Sequence, residues 1–131
     1  MTPFDDPQAE QAWMFLQTLS AEGDLDEGFG LLSEDFTYWT NATGRTYDKA
    51  ELRRITERAR ESLVLHFDLV RCLNDGESVV VEAQHDGVNS DGVRYDSPVA
   101  FIFDMHDGLI VSLREYCDTR LFGEVFGAIP D

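Results

Sequence analysis

Cysteine and histidine are scarce in this sequence. Its 131 residues include two cysteines, Cys72 and Cys117, and three histidines. Two cysteines are too few for a disulfide framework or a structural zinc site, and the histidines do not share one helix at ligand spacing. The sequence also has no glycine-rich phosphate-binding loop and no sequence motif of a Ser-His-Asp catalytic triad. We therefore expect free thiols, no metal site and no cofactor.

Positive charge and long apolar runs are scarce as well. Lys and Arg number 10 against 26 Asp and Glu, which gives a formal net charge of −16. Nucleic acids and anionic membranes select basic surfaces, so neither is an expected partner. No apolar run reaches the roughly 18 residues of a membrane span, and the acidic N-terminus lacks the basic start of a signal peptide. We expect a soluble, cytoplasmic protein.

The first half of the chain carries helix signals. Each of three stretches with apolar residues at helical spacing follows an aspartate that can cap a helix. The capping residues are Asp6, Asp24 and Asp48, and the helices they predict cover residues 7–20, 25–32 and 48–62. A β-rich run over 36–40 predicts one early strand, followed by a loop over 41–46.

The second half reads as strands joined by turns. Apolar, extended segments alternate with Asp-Gly turns, which are typical of an antiparallel meander. The predicted strands cover 63–73, 78–88, 99–103 and 109–113, and the apolar tail 121–129 is expected to dock as a short helix or strand extension. Helices packed on one face of such a sheet make an α+β fold. We expect a single domain over residues 1–131.

The last third of the chain resembles a known family. Tyr95-Asp96-Ser97-Pro98, then Asp107-Gly108, then Arg114-Glu115-Tyr116-Cys117-Asp118 is similar to the closing hairpin of SnoaL-like proteins. That group belongs to the nuclear-transport-factor-2-like, ketosteroid isomerase-like superfamily. Its members commonly read Tyr-Asp-Asn-Pro, Asp-Gly-x-Ile and Arg-Glu-Tyr-Phe-Asp, so Ser97 and Cys117 depart from the pattern. The resemblance implies a cone: three N-terminal helices packed on a strongly bent antiparallel sheet around a pocket.

The resemblance also implies catalytic residues. Glu115 lies where limonene epoxide hydrolases have a catalytic aspartate, which implies that it points inward. Tyr38 matches a tyrosine that holds the attacking water, and Thr40 lies where an asparagine does the same. Glu82 and Gln84 lie where those enzymes have an arginine and a second aspartate. The missing arginine argues against epoxide hydrolysis in particular.

A second carboxylate would change the chemistry of the pocket. If Glu82 and Glu115 both face it, one should have a raised pKa and act as an acid while the other stays a base. The alternative is that Glu82 lies on the strand surface in a salt bridge, with Val79 and Val81 facing inward. The base position of ketosteroid isomerase is held here by Thr40, so that chemistry does not carry over.

Two histidines lie on neighbouring predicted strands. Scytalone dehydratase uses such a pair, with one histidine followed by Phe, as in His66-Phe67. Neutral imidazoles can accept and deliver protons. His85 has the opposite strand parity to Glu82, so both cannot face the pocket of a regular strand. We therefore assign His66 to the catalytic group with Glu115, Glu82 and Tyr38.

The remaining pocket wall is predicted to be apolar and aromatic. We assign Trp13, Phe101 and Leu113 to it, together with Thr40 and Gln84. Such a pocket suits a hydrophobic small molecule. The sequence therefore favours a cofactor-independent acid–base enzyme of the isomerase, dehydratase, cyclase or hydrolase type. The alternative is a non-catalytic ligand-binding or dimerisation module on the same fold.

The strands also predict an oligomer. Residues 79–81 and 101–103 are apolar on both faces of the sheet. One face covers the helices, and the other needs a cover too. Because relatives pair sheet to sheet, we expect a homodimer.

Overall fold

The computed structural model describes residues 6–127, and it has the expected α+β architecture. The elements in chain order are α1 (Pro7–Leu19), α2 (Leu25–Phe29), β1 (Leu32–Thr40), β2 (Arg45–Asp48), α3 (Lys49–Arg60), β3 (Leu63–Asn74), β4 (Ser78–Asn89), β5 (Ser97–His106), β6 (Leu109–Tyr116) and α4 (Thr119–Phe126). The predicted tail element is the helix α4. The end of that prediction, residues 128–129, lies outside the described residues.

The three predicted aspartate caps hold the N-terminal helices. Asp6 accepts a hydrogen bond from the backbone N–H of Gln8, and Asp24 caps α2 in the same way. Asp48 and Glu51 form a reciprocal capping box at the start of α3. These bonds satisfy donors that a helix start otherwise leaves unpaired. α2 ends earlier than predicted, because the chain enters β1 at Leu32.

The six strands form one sheet in the order β2-β1-β6-β5-β4-β3. The predicted meander is present, since β3 to β6 pair antiparallel in sequence. The sheet is not wholly antiparallel, however, because β1 pairs parallel with β6. β2 lies partly in the predicted loop and pairs with β1, with Arg45 opposite Thr40. Four residues with mostly exposed side chains carry little strand signal.

A β-bulge interrupts the alternation of inward and outward side chains on β6. Asp104 pairs with Ser112 and Met105 with Ile110, which leaves Val111 as an extra residue. The inward position therefore shifts from Val111 to the fully buried Ile110. Beyond the bulge, Leu113 is buried and strand alternation places Glu115 on the same face.

The core lies between α1 and the inner face of the sheet. Phe15 and Leu16 of α1 are fully buried, and the Phe15 ring contacts Phe103 of β5 edge to face with centroids 6.3 Å apart. This core fills one end of the sheet. The other end, between β3, β6, α3 and α4, is not filled and holds a cavity.

Candidate functional site

The cavity has a volume of about 590 Å³. Its wall includes Tyr47 from the edge strand β2 and Leu65 from the opposite edge strand β3. One cavity can touch both edges only because the sheet curves around it. Helices α3 and α4 cover the open side, with Leu52 and Phe122 among the lining residues.

Aromatic rings make up much of the cavity wall. They are Tyr38, Tyr47, Phe67, Tyr95, Phe101, Phe122 and Phe126. Charged lining residues are confined to α3 and its C-cap, with one exception on the sheet, Glu115. Among the described residues, the sheet therefore presents a single carboxylate to an otherwise apolar and aromatic wall.

Glu115 lies near the end of β6, between two neighbouring strands. It pairs with Thr40 of β1 on one side and with Phe101 of β5 on the other. Its Oε1 accepts a hydrogen bond of 2.7 Å from the hydroxyl of Tyr38. Glu115 is half-buried, and it borders the cavity.

The electrostatic surroundings of Glu115 favour its protonated form. Burial raises the pKa of this carboxyl, and the hydrogen bond from Tyr38 lowers it by less than burial raises it. No lysine or arginine within residues 6–127 forms an ion pair with Glu115. A buried carboxylate without a cation is destabilising, so this group serves stability poorly. Such groups are typical of functional sites.

Tyr38 is the direct partner of that carboxyl. Burial, followed by the neighbouring charge of Glu115, raises the pKa of Tyr38 well above its ordinary value. The phenol therefore stays protonated and donates its hydrogen to Glu115. Its ring is held against Tyr47, with centroids 5.9 Å apart. This packing fixes the position of the phenol and therefore the direction of its hydrogen bond to Glu115.

Thr40 lies behind Glu115 and does not line the cavity. It is fully buried, and its Oγ1 accepts a hydrogen bond of 3.2 Å from the N–H of Ala42. Its assignment to the pocket wall is therefore wrong. Cys117, next to it, is a half-buried free thiol whose pKa rises to about 12 through burial. A thiol with that pKa stays protonated at neutral pH and is a weak nucleophile.

The predicted pairing of Glu82 with Glu115 is wrong. Glu82 lies on the outer face of β4, where its Oε1 forms an ion pair of 3.0 Å with Nε of Arg71. Gln84 shares that face and is not part of the cavity wall. The physical reason is strand alternation: Val81 and Ala83 are fully buried on the inner face, so their neighbours point outward.

The same alternation exchanges the roles of the two histidines. His66 is exposed on the outer face of β3, so its assignment to the catalytic group is wrong. His85 continues the buried row of β4 and is 3% exposed, with its ring on the cavity wall. The opposite parity of Glu82 and His85 was the signal that could have identified it.

His85 lies in an aromatic environment. Its ring stacks on Tyr95 with centroids 4.3 Å apart and contacts Phe67 at 5.4 Å. Burial lowers the pKa of His85 to about 4, so the imidazole is neutral at pH 7. Its Nδ1 is buried without a hydrogen-bond partner.

Tyr95 is a site residue that sequence reasoning missed. It lies in an irregular segment before β5, where its backbone N–H donates to the carbonyl of Gly87 at 2.8 Å. Its buried hydroxyl approaches the Cys117 thiol without a well-aligned hydrogen bond. Burial and the nearby charge of Glu115 raise its pKa. Irregular segments carry no periodic pattern, so only the resemblance pointed to this residue.

The other predicted wall residues divide between cavity and core. Phe101 and Leu113 lie on the cavity wall. Trp13 does not, and its assignment is wrong: it is half-buried on α1 and packs against the core at the other end of the sheet. Within α1, Leu19 at its C-terminal end lines the cavity, whereas Trp13 lies nearer its N-terminal end.

Two further findings concern residues 6–127 alone. The described segment contains no helix long and apolar enough to cross a bilayer. It also contains no group of three or more His, Cys, Asp or Glu side chains arranged to hold a metal ion.

Comparisons with known proteins agree with this fold. The sequence profile of the SnoaL-like domain family matches residues 14–113. A candidate polyketide cyclase from Xanthomonas campestris superposes with a TM-score of 0.79 at 22% identity, covering 91% of this chain and 96% of the other. An epoxide hydrolase of Mycobacterium tuberculosis, similar to limonene epoxide hydrolase, gives 0.76 at 21% identity, covering 91% and 89%. A structure of TerC crystallised with polyporic acid gives 0.80 at 15% identity, covering 94% and 100%. No curated protein sequence matches the chain.

Proposed function

The chain belongs to the SnoaL-like domain family, and on that premise we propose that it is a cofactor-independent acid–base enzyme acting on a hydrophobic small molecule. Glu115 is the residue that carries the proton. The observation that supports this proposal is a single sheet carboxylate, desolvated and held by Tyr38, at the wall of an aromatic cavity.

The position of Glu115 suits a general base that also acts as an acid. As a carboxylate, it takes a proton from carbon next to a carbonyl, and the C–H electron pair moves toward the carbonyl oxygen. The resulting carboxylic acid then returns the proton to another atom of the substrate. Return to a different carbon gives isomerisation, and return to a leaving hydroxyl gives dehydration. In cyclisation, the enolate carbon forms a bond to a second carbonyl carbon, and the proton goes to the alkoxide oxygen that this attack creates. A carboxyl with a raised pKa suits both steps, because the shift makes its carboxylate a stronger base and brings its pKa closer to the pH at which it must also release the proton.

Tyr38 positions the carboxyl for these steps. Its hydroxyl donates to Oε1, and the Cys117 thiol also forms a hydrogen bond with this carboxyl. We assign proton transfer to the other carboxyl oxygen, Oε2. Because the hydrogen bond stabilises the charged form, Tyr38 also keeps the pKa of Glu115 from rising further.

The wall indicates the type of substrate. Rings such as Phe67 and Phe101 offer flat apolar surfaces, and the volume of about 590 Å³ is large enough for a molecule of two or three fused rings. The neighbours named as a polyketide cyclase and as an epoxide hydrolase carry different chemistry on this fold. This chain has Glu82 where limonene epoxide hydrolases have an arginine, so we favour proton transfer at carbon over epoxide opening.

A solvent-exchange assay tests the proposal without knowledge of the natural substrate. Bicyclic and tricyclic aromatic ketones and aryl epoxides are incubated with the protein in D₂O, and NMR follows deuterium uptake and diol formation. We expect exchange into at least one ketone. Glu115→Gln should reduce its rate by about 10²- to 10⁴-fold.

Glu82→Gln is the matched control, because it makes the same change on the outer face of the sheet. It should retain the wild-type rate. If Glu115→Gln exchanges as fast as wild type, Glu115 is not the proton carrier. If ligands bind but no compound is exchanged or converted, the protein is a non-catalytic ligand-binding module.

We also propose that the protein is a homodimer. The outer face of the sheet exposes apolar side chains: Val70 is 57% exposed, Leu73 is 55% exposed and Tyr116 is 38% exposed. Burial of such a surface against a second copy is favourable at roughly 25 cal/mol per Å² of apolar area. Light scattering at micromolar concentration should give about twice the chain mass of 14.8 kDa; a mass of one chain would contradict the proposal.

A further inference from the structure

Besides the carboxyl of Glu115, the sheet contributes an imidazole to the cavity wall, that of His85. On β5, His85 pairs with Ser97 and Glu115 pairs with Phe101. The two positions are thus four residues apart along β5 (101 − 97) and lie on the strands at either side of it. In a flat sheet their Cα atoms would be roughly 16 Å apart. Curvature turns both side chains toward the same cavity from separate places on its wall.

The imidazole of His85 has no hydrogen-bond partner within the described residues. Its Nδ1 is buried and unpaired, and its Nε2 keeps surface on the cavity side. Its neighbours are the rings of Tyr95, Phe67 and Phe101, with the Phe101 ring edge to face at 6.5 Å. Imidazole nitrogens are seldom buried without a hydrogen-bond partner, because an unsatisfied buried donor or acceptor costs roughly 1–3 kcal/mol of folding free energy. Because Nδ1 is buried, a ligand atom in the cavity can reach only Nε2.

The unpaired Nδ1 indicates which nitrogen of His85 carries the hydrogen. A neutral imidazole has one N–H and one lone pair. Buried N–H groups without a partner are especially rare in proteins. The N–H therefore belongs on Nε2, which is also the preferred tautomer of neutral histidine in water. This places a hydrogen-bond donor at the cavity and leaves the lone pair on Nδ1.

We propose that Nε2–H of His85 is a specificity-determining donor that binds an acceptor oxygen of the ligand, remote from the atom on which Glu115 acts. The ligand class is a flat, ring-containing carbonyl compound whose rings lie against Phe67 and Phe101. The remote placement rests on the proposed function of Glu115, whereas the donor role of His85 depends on binding alone. His85 is not assigned to proton transfer, because an imidazole with a pKa near 4 is a weak base.

Binding of two matched probes tests this proposal. 1-Tetralone and tetralin share a bicyclic skeleton, and only the ketone has an acceptor oxygen. Their dissociation constants are measured for wild type, His85→Phe and His66→Phe by calorimetry or NMR titration. The Phe variants keep a ring in place, and the His66 variant makes the same change on the outer face.

The preference of wild type for the ketone should fall roughly fivefold to tenfold in His85→Phe, the value of one hydrogen bond. His66→Phe should keep the wild-type preference. An unchanged preference in His85→Phe would overturn the proposal. If neither probe binds wild type at millimolar concentration, the assigned ligand class is wrong.

Nitrogen-15 NMR of the imidazole provides an independent reading. The signals of His85 are assigned by their loss in His85→Phe. We expect a protonated Nε2 and an unprotonated Nδ1 at pH 7, and the opposite tautomer would overturn the proposal. Neither measurement requires turnover. Ketone preference without proton exchange would therefore refute the proposed function and leave the role of His85 in place.

Discussion

Replacement of Glu115 by glutamine should make the protein more stable at neutral and alkaline pH. Glutamine has the shape of glutamate, and its carbonyl oxygen can still accept the hydrogen bond from Tyr38. It has no charge to desolvate. Because burial disfavours the carboxylate of Glu115 and no cation pairs with it, wild type carries a penalty that the variant lacks.

The sign of this effect depends on pH. The pKa of Glu115 is higher in the folded protein than in the unfolded chain, so the folded state holds the proton over a wider range. Wild-type stability therefore falls as pH rises from the unfolded pKa to the folded pKa and stays lower above both. Each pKa unit is worth about 1.4 kcal/mol. Below the unfolded pKa, wild type and Glu115→Gln should be equally stable.

Urea unfolding at pH 4 and pH 8 measures the difference. We expect Glu115→Gln to have a higher free energy of unfolding than wild type at pH 8, and a much smaller difference at pH 4, where the carboxyl is largely protonated in both states. Glu82→Gln alters a half-exposed ion pair and should stay within about 0.5 kcal/mol of wild type. A Glu115→Gln variant that is less stable than wild type at pH 8 would refute the reasoning, as would a gain that does not depend on pH.

Three further predictions follow from named side chains. Burial lowers the pKa of His85 to about 4, so the free energy of unfolding of wild type should fall by about 3 kcal/mol as the pH falls from 7 to 4. Urea unfolding of His85→Phe should lack that fall. His66→Phe should keep it. Tyr38→Phe removes the bond that stabilises the carboxylate, so the pKa of Glu115 should rise further and the onset of ketone exchange should move to higher pH; an unmoved onset would contradict the role of Tyr38. Leu73→Asp places charge on the outer face, and light scattering should show monomers of 14.8 kDa where wild type gives dimers; a variant that remains dimeric would exclude this face as the interface.

Local signals in the sequence predict most of the secondary structure. Helix caps such as Asp48 act within a few residues, and the Asp-Gly turns fix hairpins between adjacent strands, so these features need no knowledge of the rest of the chain. The parallel pairing of β1 with β6 joins segments about seventy residues apart. No local pattern encodes such a partner, so the sequence predicted the early strand without predicting the strand that it pairs with.

The site was predictable where strand parity was used and wrong where it was set aside. Val79, Val81 and Ala83 form a buried row that continues to His85, so parity alone assigns Glu82 and Gln84 to the outer face. The resemblance to related enzymes placed Glu82 in the pocket instead. On a regular strand, however, a residue next to two inward-facing neighbours must point outward. The facing of Glu115 could be inferred from the resemblance.

The burial of His85 could not be inferred from residue type. Histidine is found in both exposed and buried positions, and its burial here depends on Tyr95, which reaches it from an irregular segment. That contact requires the backbone of residue 95 to bond to Gly87, two residues beyond His85. The presence of His85 beside Glu115 on the cavity wall therefore depends on tertiary contacts that the local sequence does not encode.

The titration of the Glu115 carboxyl tests the central claim most directly. Carbon-13 NMR follows the side-chain carboxyl signals with pH, and the Glu115 signal is assigned by its loss in Glu115→Gln. We predict a pKa above the ordinary glutamate value, together with a further rise in Tyr38→Phe. A Glu115 pKa at or below the ordinary value would contradict the account, because such a group would be a solvated or paired carboxylate and not a proton carrier in an aromatic cavity.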